Sequence, residues 1–144
     1  MIKEGSDVRV FGCHVPEALL QFWHDYGKEH LIGQVELFAV VIARILWKEL
    51  LHNRGVILFI DNWAVLDAYI PGNSREKTWR QLLLKLEEID SVLPAHVWAS
   101  RVPSESNVAD PPSRGSLNGL QFLGPLNVDK ARCPFSGEEM SSVV

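Results

Sequence analysis

Val56-Ile57-Leu58-Phe59-Ile60-Asp61-Asn62 decides the fold. An unbroken apolar run of this length reads as a strand covered on both faces, and its last residues place a carboxylate at the strand's carboxyl end. Just upstream, Asn53-Arg54-Gly55 is a stop signal. Before it, Val35, Ala39, Ile42, Leu46 and Leu50 recur at three- and four-residue steps, which predicts a helix over roughly Gly33 to Leu51. Glu36 lies in the first turn of that helix. From Glu36 to Leu50 a helix advances about 21 Å at its 1.5 Å rise. From Val56 to Asp61 a strand returns about 20 Å at 3.3 Å per residue. With so short a turn between them the two elements run antiparallel, so Asp61 lands level with Glu36.

Downstream, Trp63 to Ile70 reads as a short helix closed by Pro71-Gly72, and a second amphipathic helix runs from about Arg75 to Ile89 or Ser91. Its inward residues are Trp79, Leu82, Leu83, Leu86 and Ile89. Pro94 leads into a strand over Ala95 to Val102. A right-handed crossover makes that strand parallel to the 56–61 strand and delivers Asp110 to the same sheet edge. Asn107 is placed to cap a short helix there.

Upstream, Glu4-Gly5-Ser6-Asp7 has hairpin chemistry, so Ile2-Lys3 ends one strand and Val8 to Val15 forms the next. Pro16 opens a helix to about Tyr26, which Gly27 stops. Residues 1–114 thus read as one domain. The stretch 115–144 has no clear period and is expected to be a tail, partly ordered at best.

At 144 residues with 47% hydrophobic content, the chain suffices for an ordinary core, and global disorder is not expected. No apolar run approaches the roughly 20 residues of a membrane helix, and the start lacks a secretory signal. Cys13 and Cys133 are far apart in sequence and read as free thiols, so an intracellular, reducing location is expected. His24 and His30 are poorly spaced for zinc. The net charge of −4 argues against an autonomous high-affinity nucleic-acid binder. It argues less against a nuclease, whose metal-binding acids lower net charge themselves.

Glu36, Asp61 and Asp110 therefore form the candidate site. Three converging carboxylates repel one another unless cations neutralise them. Two hard divalent cations about 4 Å apart activate water and steady a phosphodiester's leaving oxygen. The competing reading gives each acid a separate local role: Glu36 and Asp110 as first-turn dipole partners, Asp61 as a strand-end turn former.

Three segments together resemble the ribonuclease H domain that follows reverse transcriptase in retroelements. They are Gln34-Val35-Glu36-Leu37-Phe38-Ala39, Phe59-Ile60-Asp61-Asn62, and Val102-Pro103-Ser104-Glu105-Ser106-Asn107-Val108-Ala109-Asp110-Pro111-Pro112-Ser113-Arg114. The last is the most specific, and the agreement runs over roughly Val8 to Arg114. The resemblance implies an α/β fold, a five-stranded mixed sheet with helices on both faces. It also implies cleavage of the RNA strand of an RNA–DNA hybrid with Mg2+ or Mn2+ held by Glu36, Asp61 and Asp110, in a chain tethered to a reverse transcriptase. The family has a fourth acid, an Asp on a first strand, for which this chain shows no counterpart. The domain is thus expected to be N-terminally incomplete and its activity impaired. A fragment, an element that lost the strand, and a site rearranged around Asp7 are the three explanations. Candidate substrate contacts are Asn62, Ser74, Arg75, Arg80, Arg101 and Asn107, Arg101 standing where many relatives carry His. The alternative is a non-catalytic spacer or interaction module on the same fold. A proofreading exonuclease is a weaker fit, since its Asp-x-Glu pair is absent.

Overall fold

The computed structural model describes residues 1–26, 30–116, 120–131, 133 and 135. The architecture is α/β. β1 (Ile2–Glu4) and β2 (Asp7–Gly12) form an antiparallel hairpin in which Glu4 faces Asp7 across a two-residue turn. Gly5 enters that turn at φ +57°, a conformation that favours glycine. Helix α1 (Glu17–Tyr26) buries Leu19 and Trp23. The expected stop at Gly27 lies outside the described residues.

The long helix divides into α2 (Ile32–Leu46) and α3 (Lys48–Leu51), separated at Trp47. Its buried stripe is Gln34, Leu37, Phe38, Val41, Ile42 and Arg44. Val35 and Ala39, expected to face inward, are exposed. So much of α2 is apolar that several stripes satisfy helical spacing, and packing selects among them. After β3 (Gly55–Ile60) come α4 (Trp63–Tyr69), α5 (Lys77–Val92) and β4 (His96–Arg101). β4 pairs with β3 in parallel, as the crossover argument requires. α2 and α5 approach closely at Gly33, where an added Cβ would collide with the Trp79 ring. A buried polar link joins the same two helices. Gln34 Nε2 donates to Glu76 Oε1 at 2.6 Å, and Thr78 Oγ1 donates to the same oxygen at 2.9 Å.

Three expectations are corrected. Among the described residues the strands form two sheets rather than one, ordered β1-β2-β5 and β3-β4. The fifth strand, β5 (Leu126–Lys130), comes from the stretch read as a tail and pairs in parallel with β2. Alternation in Leu-Asn-Val-Asp-Lys is too weak to announce a strand by itself. β2 supplies the ladder, and Trp47 Nε1 donates to Asp129 Oδ2 at 2.7 Å. Leu120 is buried, and Cys133 and Phe135 pack against the main core. Finally, β3 is not covered on both faces. Leu58 and Ile60 pack inward, while Ile57 and Phe59 remain 65% and 60% exposed.

Cys13 and Cys133, distant in sequence, are spatial neighbours and both free. Burial, and then the nearby Cys133, push the Cys13 thiol above its usual range. No helix among the described residues is long and apolar enough to cross a membrane.

Candidate functional site

The carboxyl end of β3 organises the site. Ile60 is buried, which fixes the strand's last residue and brings Asp61 and Asn62 to its tip. Asn62 Oδ1 accepts from the backbone N–H of Ala64 at 3.0 Å and of Val65 at 3.4 Å, capping α4. Glu36 comes to the same place from the first turns of α2. Burial is the main cause that raises its carboxyl above the ordinary range. The Asn62 side chain opposes that rise, and the neighbouring Asp61 charge adds to it. Glu36 Oε2 is buried and has no hydrogen-bond partner among the described residues.

An orphaned carboxylate oxygen beside a second carboxylate suits a hard cation, because oxygen ligands are what such an ion takes. Asp110, the first residue of α6 (Asp110–Ser113), is engaged elsewhere: Arg114 Nε donates to its Oδ1 at 3.2 Å and to its Oδ2 at 3.1 Å. Among the described residues, no group of three or more His, Cys, Asp or Glu side chains is placed to hold a metal ion. The structure thus brings Glu36 and Asp61 together and leaves Asp110 with Arg114.

Each candidate substrate contact has a definite local setting. Asn107 Oδ1 accepts from the Ala109 N–H at 3.0 Å, so it holds the turn one step ahead of α6, whose N-cap is Ala109. Ser74 Oγ accepts from the Glu76 N–H at 3.1 Å, and α5 begins at Lys77 instead of Arg75. Arg80 Nε donates to the Ser74 carbonyl at 3.2 Å, and Arg75 is exposed. On the basic side of α5, Lys85 pairs with Glu88 at 2.9 Å and Lys77 lies 5.6 Å from the Tyr26 ring centre.

The sequence reading did not foresee one pairing. The Arg101 guanidinium stacks over the Trp63 ring, 4.8 Å from its centre. Arg101 ends β4 and Trp63 opens α4, so the parallel pairing of β3 and β4 brings the two together. Trp63 is 58% exposed, and the pair forms a flat cationic and aromatic surface beside Asp61-Asn62. Two isolated residues about forty positions apart carry no sequence signal for this contact. Trp23 and Trp47 are core residues, whereas Trp98 is 74% exposed.

Comparison with known families, with curated proteins and with solved structures finds no match.

Proposed function

We propose that the chain is a ribonuclease H-like domain of reverse-transcriptase type, acting on RNA–DNA hybrids and impaired as it stands. The observation that carries this reading is the partnerless Glu36 oxygen beside Asp61 at the carboxyl end of a parallel strand. Sites in sheets with parallel strands gather at that end. Glu36 and Asp61 would hold the cation, Mg2+ or Mn2+. When bound, such an ion lowers the pKa of water and stabilises charge on a phosphoryl oxygen. Asn62 steadies Glu36 while capping α4, and the Arg101–Trp63 stack offers a cationic aromatic surface to a backbone phosphate or a sugar–base edge.

Cation titration by calorimetry tests the pair. Mn2+ binding in the millimolar range or tighter, lost in Glu36→Gln, is the expected result; heats unchanged by that substitution refute it. Hybrid cleavage with Mg2+ or Mn2+ is expected to be weak. Robust turnover abolished by Asp61→Asn would overturn the impaired assignment.

The Asp110–Arg114 pair favours a second reading, a non-catalytic module on the same fold. No Mn2+ heat and no cleavage, together with an intact fold, would select it.

A further inference from the structure

β2 and β5 run in parallel, and their last ladder pair is Gly12 with Lys130. Both segments leave the sheet there in the same direction. On the first, Phe11, Cys13 and Val15 pack against the main core; on the second, Ala131, Cys133 and Phe135 do. Each set advances by two residues, the step that keeps side chains on one side of an extended chain. One step past the last ladder pair, Cys13 stands level with Ala131, and Cys133 is the next core-facing residue. The two thiols therefore meet diagonally over one core surface. The Cys133 charge, after burial, helps Cys13 to keep its proton. Both cysteines are free and only half-buried, so a small oxidant can reach them.

The spacing is close to what a disulfide needs. A strand spacing of about 4.8 Å and a two-residue step of about 6.6 Å set diagonal Cα atoms roughly 8 Å apart. A disulfide spans up to about 6.8 Å. Both cysteines lie beyond the last ladder pair, so the difference can close without breaking the ladder.

We infer that Cys13 and Cys133 form a reversible disulfide when the chain meets a disulfide oxidant such as glutathione disulfide, clamping the segment that carries β5 and Phe135 to β2. One cysteine thiolate attacks a sulfur of glutathione disulfide. A protein–glutathione S–S bond forms and one glutathione leaves. The second cysteine thiolate attacks the protein sulfur of that mixed bond, and the second glutathione leaves. Two cysteines are oxidised, one glutathione disulfide is reduced, and the two thiol protons end on the two glutathiones. The second step is intramolecular, so it outruns the arrival of another glutathione. The clamped segment rests on the helix that carries Glu36. The Phe135 ring lies 5.9 Å from that of Phe38 in α2, and Asp129 of β5 accepts from Trp47 just past the helix end. In the reduced chain the β2 ladder and packing alone hold it there.

The test equilibrates the reduced full chain in mixtures of glutathione and glutathione disulfide, quenches with acid, and reads intact and peptide masses. Both thiols should disappear together, with the loss of two hydrogen masses and one peptide pair joined through Cys13 and Cys133. Dithiothreitol should restore them. Cys13→Ser and Cys133→Ser should each gain one glutathione instead. Repeating the equilibration in denaturant separates a placed pair from a chance one: the effective concentration of the two thiols should be at least about tenfold higher in the folded chain. Oxidation should accordingly raise the denaturation midpoint. Equal effective concentrations, glutathione added separately to both cysteines, thiols that stay reduced in excess glutathione disulfide, or disulfides formed only between copies would each overturn the assignment. So would a midpoint that oxidation leaves unchanged.

Discussion

β2 and β3 are equal in length but opposite in how far their surroundings satisfy them. β2 has a neighbour on each edge, and its inward residues Val8 and Val10 are 0% and 3% exposed. Its sequence, Asp-Val-Arg-Val-Phe-Gly, alternates as a half-buried strand should. β3 is the more apolar strand, yet among the described residues it has one neighbour and leaves Ile57 and Phe59 to solvent. Apolar content normally rises with coverage. In β3 it exceeds the coverage these residues receive, which marks a surface that other groups would be expected to cover.

The sharpest way to break this contrast is to charge each strand in turn. Val8→Asp puts an unpaired carboxylate at a fully buried position and should cost several kcal/mol, enough to unfold much of the population. Chemical denaturation followed by circular dichroism measures it, and a cost under about 1 kcal/mol would deny β2 its central place.

The helical layer behind both sheets can be loosened at one point. Gly33→Ala drives a methyl into the Trp79 ring and should destabilise by roughly 1–3 kcal/mol. A neutral outcome would mean that α2 and α5 slide apart freely.

A pH experiment probes the open half from beneath. Tyr69 lines a groove of about 500 Å³ beside β3, and burial, then the Asp90 charge, raise its phenol to about 12, with Arg44 opposing. The folded state therefore holds its proton where the unfolded chain, at its ordinary value near 10, has released it. Stability should fall as pH rises from about 10 to 12, by on the order of 2 kcal/mol for this group. A spectrophotometric titration should show one tyrosine ionising in that upper range in the folded protein. If every tyrosine ionises near 10 before unfolding, the burial beneath the groove is not there.

The smallest effect belongs to the outer face. Ile57→Lys should change stability by no more than about 0.5 kcal/mol, because its side chain is already solvated. A loss comparable to that of Val8→Asp would show that the face is covered in solution and erase the asymmetry.

Much of the chain was legible because its signals are local. The hairpin at Gly5-Ser6, the α4 and α5 helices and the stops around Asn53 and Pro71 each announce themselves by turn or periodic chemistry. The parallel pairing of β3 with β4 followed from handedness. What escaped depends on partners. β5 is a strand because β2 offers an edge. The true stripe of α2 depends on which neighbours arrive, and Arg44 among apolar residues was the overlooked hint of a polar demand beneath the groove. For the site, lengths alone set Glu36 level with Asp61. They could not show that Asp110 would engage Arg114, since a salt bridge four residues along a short helix competes locally with any longer-range role.

The indole of Trp98 lies on the bare face of the small sheet, opposite Ile57 in register. That position makes it a built-in optical gauge. While the face is wet, its emission sits toward the red end of the tryptophan range. Whatever settles over that surface, of any chemistry, shifts the light toward the blue without a label being attached.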